Sequence, residues 1–258
     1  MSIVPLGTSR LRSYIAYLYE EMKAMSNQDL WLAKMNGATP NVSPHTQLVL
    51  VRHAETEANL QQLWQGDLDA PLTARGIEQV TATATLLAQW HAAHPFDVFY
   101  VSPLPRSQST AAAIAEATQL PMVIEDGLRE FSLGDWEGRT LRELREKENL
   151  WGRWDADPTF APPNGESPLL FNRRATHILA SLAAQHGGQR VLVVTHGAYI
   201  SSVLATWLDG DPRNWRSYDA PNCGVSWLVR ESGNWRGDLV NDISHLPITA
   251  RADYHQEY

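Results

Sequence analysis

The sequence predicts an α/β protein, a three-layer α/β/α sandwich around a mostly parallel central sheet. Three observations predict it. The run Leu48-Val49-Leu50-Val51 is unbroken branched aliphatic, the pattern of a strand buried on both faces, since a strand with one wet face alternates in polarity. A second such run, Val191-Leu192-Val193-Val194, lies far downstream. Strand-like and helix-like segments alternate between them, the order that builds a parallel sheet with crossover helices. Both runs end in histidine, Arg52-His53 after the first and Thr195-His196-Gly197 after the second. Ligands of open α/β sheets bind beyond the carboxyl ends of strands, so both histidines fall where a site is expected. Either one alone reads more simply as a satisfied core or capping residue. Two in matched positions, one preceded by arginine, favour a site.

At 258 residues the chain is long enough to bury a full core in one domain. A formal net charge of -8 and a pI near 5.6 argue against nucleic acid or an anionic membrane as a partner. They leave room for a local arginine cluster that holds a small anion. The single cysteine, Cys223, forms no internal disulfide and supplies no cysteine metal cluster. No basic segment followed by an apolar stretch opens the chain, and no apolar run reaches the roughly 18 residues of a membrane span, so a cytoplasmic protein is expected. Of the ten tryptophans, Trp64, Trp136, Trp151 and Trp154 flank the presumed site and read as core or rim packing.

Residues 1–45 stand apart and are expected to form an N-terminal helical extension and linker ahead of a domain over 46–258. Leu11, Tyr14, Ile15, Leu18 and Met22 recur near helical spacing, and the stretch from Asn36 to His45 is rich in turn residues. An extra helix over the core is the simplest expectation; a dimerisation element, a cap over the site mouth, or disorder are the others. A loop through Trp64, Gln65, Gly66 and Asp67 follows the first strand. Thr73 is expected to cap a helix to about Ala92, with Ile77, Val80, Ala84, Leu87 and Ala88 along its apolar side and Gly76 weakening its start. Residues 96–101 make the second strand, which stops at Ser102-Pro103. Pro105 suits a first helical position, which places Arg106 in the first turn of a helix to about Thr118, facing an anion together with the free amides of that turn.

Residues 121–124 read as a short edge strand, and 128–138, marked by Gly134 and Gly138, as an ordered functional loop. One helix is expected from Thr140 to about Arg153, then a loop to Gly165. Ser167-Pro168 opens a long helix to about His186. The strand at 190–195 leads to a short helix from Ala198 to Leu208. Residues 223–230 and 235–241 close the chain as an antiparallel hairpin across 231–234.

This order gathers Arg52, His53, Arg106, His196 and an acid from the 128–138 loop at one sheet edge. Guanidiniums make paired hydrogen bonds to phosphate oxygens, and imidazoles add donors or a nucleophile. That set describes a phosphoryl site. A neutral imidazole attacks phosphorus readily near neutral pH and divides hydrolysis into two in-line transfers. A two-histidine metal site would need more carboxylates or a third histidine close by, so neither a metal nor a cofactor is expected. The residues alone do not choose among Glu130, Asp135 and Glu137 for the acid.

The stretch Val51 to Asn59, headed by Arg52-His53-Ala54, resembles the Arg-His-Gly/Ala signature of the histidine phosphatase (phosphoglycerate mutase-like) superfamily. The resemblance continues in order through Gln65-Gly66, Pro71-Leu72-Thr73, Gly76 and the segment from Ser102 to Ser107. It includes the glutamate loop, Leu128-Arg129-Glu130-Phe131 through Gly138, and then Gly165-Glu166-Ser167, His196-Gly197 and Asn222-Cys223. It implies a phosphoglycerate mutase-like fold and a nucleophile, His53, that becomes phosphohistidine. It further implies a phosphate pocket of Arg52, Arg106 and His196, lined also by Asn59, Gln65, Gly66 and Gly197. Glu130 would protonate the leaving oxygen and later activate water. Ser109 stands where the family often has glutamine, and Ala54 replaces the commoner glycine.

Phosphoglycerate mutases of this family usually carry a long basic insertion after the glutamate loop. Here only Arg139 to Asn164 separate that loop from Gly165-Glu166-Ser167, which resembles the shorter phosphatase branch. The expectation is therefore a metal-independent phosphomonoesterase acting on a small anionic phosphomonoester such as a sugar phosphate or phosphoglycerate derivative. A phosphoglycerate mutase and a non-catalytic phospholigand-binding module are the alternatives, and a homodimer is compatible with either. Arg139, Arg142, Arg145, Lys147 and Arg153 would recognise a second anionic group or, more simply, form a solvated helix face with Glu143, Glu146 and Glu148.

Overall fold

The strand Thr46–Arg52 (β1) is buried along its whole length, as an unbroken aliphatic run requires. In this computed structural model, which describes residues 45–251, it sits inside a six-stranded sheet. The expected extension over 1–45 lies outside the described residues, His45 excepted. The other strands are β2 (Val98–Val101), β3 (Met122–Ile124), β4 (Arg190–Thr195), β5 (Val225–Glu231) and β6 (Asn234–Asp242). Their order is β3-β2-β4-β1-β5-β6. The first four in that order are parallel, while β5 and β6 run antiparallel at the far edge. The mostly parallel sandwich expected from the sequence is thus the fold.

Among the described residues the α-helices are α1 (Glu57–Leu60), α2 (Ala74–Ala93), α3 (Pro105–Thr118), α4 (Leu141–Glu146), α5 (Leu150–Ala156), α6 (Pro168–Gln185) and α7 (Gly197–Leu204). Because side chains alternate along a strand, Leu48, Leu50, Val191, Val193 and Leu228 join one core cluster with Phe171, Ala175 and Leu179 of α6 and Ile200 and Val203 of α7. On the other face Trp227, paired in register with Val49, meets Trp90 of α2 edge-on at 5.3 Å. Trp64, Trp136, Trp151 and Trp154 all belong to the first cluster, as core packing. The closing hairpin turns on Ser232 and Gly233, both at positive φ (52° and 88°), the backbone of a tight two-residue turn whose twist matches its strands.

Two expectations are corrected. The helix foreseen from Thr140 to Arg153 is broken into α4 and α5, because Asn149 adopts the left-handed conformation (φ 49°) and restarts the chain at a new angle. Ile77, assigned to the apolar side of α2, is 59% exposed. The buried side of α2 is carried instead by Val80, Ala84, Leu86, Leu87 and Trp90 together with Gln79 and Thr83.

Gly76 does more than weaken a helix start. A β-carbon there would lie 2.2 Å from the Glu55 carbonyl oxygen, so α2 can approach the loop after β1 only without one. Gly76→Ala, which helix propensity alone would make stabilising by about 1 kcal/mol, is expected to destabilise by about 1–3 kcal/mol through overpacking, measured by urea unfolding.

Candidate active site

Pairing of β1 with β4 brings the two histidine-bearing strand ends together. Arg52 is in register with Thr195, and the His53 amide donates to the Thr195 carbonyl at 2.9 Å. The ring centroids of His53 and His196 are 5.3 Å apart, edge to face. Pro105 at the head of α3 then sets Arg106 in its first turn. One pocket, about 60 Å³ in volume, is lined by Arg52, His53, Asn59, Gln65, Gly66, Arg106, Glu130 and Gly197 among others. Every residue expected at the site therefore meets there except His196, which is fully buried against His53 and is not part of the pocket wall. Of the three candidate acids only Glu130 reaches the pocket. Asp135 accepts from the exposed Asn164 amide, and Glu137 accepts from the Asp67 and Leu133 amides and the Ser132 hydroxyl.

The state of His53 follows from its contacts. Its Nδ1 lies 2.7 Å from the Ala54 carbonyl oxygen, which only accepts, so Nδ1 carries the proton and Nε2 keeps its lone pair. Burial first, and then the charges of Arg106 and Arg52, hold its pKa well below the ordinary histidine value. This imidazole is neutral throughout the physiological range. His196 is likewise held well below the ordinary value by burial and the same arginines. Ser102 Oγ accepts the Leu104 amide at 3.3 Å and lies 2.7 Å from His196 Nε2. His196 Nδ1 is buried and has no hydrogen-bond partner among the described residues.

The guanidiniums are fixed by backbone carbonyls. Arg106 donates to Leu68 and Gly66, both at 2.7 Å, and Arg52 donates to Ala220 at 2.5 Å. Gly197 permits this placement of Arg52, since a β-carbon there would sit 3.0 Å from the guanidinium carbon. Asn59 and Gln65 line the pocket while serving the loop. Asn59 Oδ1 accepts the Thr56 amide to close the capping box of α1, and Gln65 Nε2 donates to Thr56 Oγ1. None of the basic residues between Arg139 and Arg153 lines the pocket. Arg139 pairs with Glu148, both outside the helices, and Lys147 at the end of α4 pairs with Glu143.

Glu130 caps the first turn of α7, accepting from the Ala198 and Tyr199 amides at 3.2 Å each and from Phe131 at 2.9 Å. Burial outweighs those donors and the nearby arginines and raises its pKa above the ordinary carboxyl value. A carboxyl group so placed stays protonated to higher pH than a surface glutamate.

Two features of the site were missed in the sequence. Arg174 of α6 donates to the carbonyls of Gly127, Arg129 and Glu130 at 2.9–3.1 Å and forks onto Glu166, at 2.9 and 2.6 Å. One side chain thus ties down the loop that carries Glu130. Asn222 donates to the His53 carbonyl at 2.9 Å, and the Cys223 amide donates to that of Arg52 at 3.1 Å. Cys223 does so at a left-handed φ of 56°, an uncommon conformation for a side-chain-bearing residue and one that persists where its surroundings enforce it. Arg174 lacked a signal because an arginine in a helix reads as a surface charge. Asn222-Cys223 appeared only within the family pattern.

A misplaced acid matters most when the leaving group needs a proton. Arg174→Met is therefore expected to lower kcat/KM on an alkyl phosphate on the order of tenfold to a hundredfold, with a smaller loss on p-nitrophenyl phosphate. Equal losses on both would mean that Arg174 serves stability alone.

A cradle of two buried guanidiniums and two neutral imidazoles at the carboxyl end of a parallel sheet defines a phosphoryl-handling α/β protein. The chain belongs to the histidine phosphatase superfamily (branch 1), whose family model matches residues 48–243. It is 39% identical over 160 residues, 61% of this chain and 77% of the relative, to the adenosylcobalamin/alpha-ribazole phosphatase of Escherichia coli. It is 32% identical over 211 residues, 79% of this chain and 96% of the relative, to the probable phosphoglycerate mutase GpmB of Escherichia fergusonii. Among solved structures it is similar to a mycobacterial glucosyl-3-phosphoglycerate phosphatase, with a TM-score of 0.67 and 30% identity over 76% of this chain and 98% of the other.

Proposed function

We propose that this protein is a metal-independent phosphomonoesterase that hydrolyses a small phosphorylated metabolite through phospho-His53. The observation that carries this reading is the state of His53, an imidazole with Nδ1–H held by a backbone carbonyl and Nε2 left for attack, in one pocket with Arg52, Arg106 and Glu130. Nε2 attacks phosphorus and the bond to the leaving oxygen breaks. The proton of Glu130 goes to that oxygen as it departs. Arg52 and Arg106 donate to the equatorial oxygens, where charge is greatest in the transition state, and His196 backs the phosphate pocket from behind His53. Water then attacks phospho-His53 and gives its proton to Glu130, which releases inorganic phosphate and restores the enzyme. Asn59, Gln65, Gly66 and Gly197 line the phosphate pocket.

The phosphatase names among its relatives and the short segment from Arg139 to Asn164 support hydrolysis over phosphoryl transfer between carbons. No helix among the described residues is long and apolar enough to cross a membrane; a cytoplasmic setting belongs to the proposal. The test is rapid quench, without acid, after mixing with a phosphorus-labelled monoester. The expected result is label on His53, with steady hydrolysis unchanged by a chelator. Label on another side chain, or activity lost to the chelator, refutes the reading, and label moving between carbons faster than it reaches solvent makes the protein a mutase.

A further inference from the structure

A nucleophilic His53 must carry its hydrogen on Nδ1, because a hydrogen on Nε2 leaves that nitrogen no lone pair with which to attack. In a neutral imidazole the hydrogen bond made by one nitrogen decides which of the two is protonated. Here that bond runs from Nδ1 to the Ala54 carbonyl at 2.7 Å. Whatever fixes this carbonyl therefore fixes the nucleophile.

The carbonyl belongs to the peptide unit between Ala54 and Glu55. On the other side of the same unit the Glu55 amide donates to Gln79 Oε1 at 2.9 Å. Gln79 Nε2 in turn donates to the Ala250 carbonyl, also at 2.9 Å. Because a backbone N–H only donates and a backbone carbonyl only accepts, the Gln79 amide fits between them in one orientation. The imidazole, the peptide and the side-chain amide thus all donate in one direction, from His53 toward Ala250. Hydrogen bonds joined head to tail polarise one another. The bond from Glu55 to Gln79 makes the Ala54 carbonyl a stronger acceptor for the Nδ1 hydrogen.

Gln79 is fully buried and does not line the phosphate pocket. Its helix, α2, comes close enough to the peptide because Gly76, three residues earlier, lies against the Glu55 carbonyl. Other side chains hold neighbouring atoms. Thr110 Oγ1 accepts the Ala54 amide at 2.9 Å, and the Glu55 carboxylate accepts from Thr73 at 2.6 Å and from Arg75 at 2.5–3.1 Å. Gln79 holds the peptide unit that His53 itself uses.

We infer that Gln79 is a positioning residue for the nucleophile, which keeps the His53 hydrogen on Nδ1 and Nε2 free for phosphorus through the peptide between Ala54 and Glu55. This role rests on the one given to His53 above. Two measurements on the full chain test it. In the unaltered, isotope-labelled protein, nuclear magnetic resonance should show scalar couplings across the hydrogen bonds from Glu55 N to Gln79 Cδ and from Gln79 Nε2 to the Ala250 carbonyl carbon. Absence of either coupling overturns the inference. Gln79→Met and Gln79→Leu remove both bonds. In whichever variant folds, kcat/KM on p-nitrophenyl phosphate is expected to fall on the order of tenfold to a hundredfold. Inhibition by inorganic phosphate, which reads the anchored guanidiniums, should change by less than about threefold. The ring nitrogens of His53 should report Nδ1–H alone in the unaltered protein and a population of Nε2–H in the variant, a change that a merely structural glutamine would not cause. A kcat/KM within about threefold of the unaltered value, phosphate inhibition weakened in proportion to kcat/KM, or an unchanged tautomer overturns the positioning role. If the unaltered protein hydrolyses no monoester, p-nitrophenyl phosphate included, the phosphatase reading fails instead.

Discussion

His53→Ala is expected to lower kcat by roughly 10⁴- to 10⁶-fold, the scale on which removal of a covalent nucleophile acts. The guanidiniums of Arg52 and Arg106 are anchored on the carbonyls of Ala220, Gly66 and Leu68, none of which involves the imidazole. Phosphate affinity should therefore fall by no more than about tenfold, as measured by calorimetry. Loss of turnover with retained binding separates a nucleophile from a residue that merely shapes the pocket. The pH profile makes a second demand. Because burial and the two arginines keep His53 neutral well below the ordinary histidine range, its protonation does not limit activity near pH 6. The acid limb of kcat/KM should instead follow the second ionisation of the substrate phosphate, near pH 6. An acid limb that moves with the substrate's phosphate pKa supports this assignment; one that stays fixed across substrates contradicts it, as would near-normal turnover by His53→Ala.

Glu130→Gln should produce the second largest effect, and its size should depend on the leaving group. A positioned acid contributes about 10²–10⁴-fold when the departing oxygen needs a proton. A loss of that order in kcat/KM, which reports the phosphorylation half alone, is expected on alkyl phosphates and a much smaller one on p-nitrophenyl phosphate, whose leaving group is stable as an anion. The sign of the pH dependence follows from the raised pKa of Glu130. The group is protonated, and so active as an acid, below its folded-state pKa, and activity falls as pH rises through that value. A bound phosphate dianion lifts that pKa further, since a nearby like charge disfavours the carboxylate. In Glu130→Gln the basic limb of the kcat profile should disappear, because the amide does not titrate. Retention of that limb, or equal losses on both leaving groups, would assign the proton donor to another group.

The two predictions draw unequally on sequence and structure. His53 was legible from the chain alone, because an apolar run that stops at Arg52-His53 is a local pattern and strand ends in α/β sheets are where ligands gather. Arg106 was legible for a similar reason, through the proline that starts its helix. Glu130 was not, since one acid in a loop with Asp135 and Glu137 looks like another, and only the family resemblance chose it. The break at Asn149 was hidden because a left-handed residue is tolerated by asparagine without leaving a strong mark on hydrophobic periodicity.

Sequence by itself determined the α/β class, the central strands, the caps at Thr73 and Ser167 and the histidine, arginine and glycine positions at the strand ends. These follow from interactions among residues a few positions apart. Tertiary structure alone decided what those residues meet. Insertion of β4 between β2 and β1 sets His196 against His53. The first turn of α7 receives Glu130 instead of phosphate, and Arg174 reaches across to hold the glutamate loop. Gly76 and Gly197 proved to be places where another part of the chain comes too close for a β-carbon. Contacts, pKa shifts and voids of this kind depend on distances between distant segments, and local sequence patterns do not encode those distances.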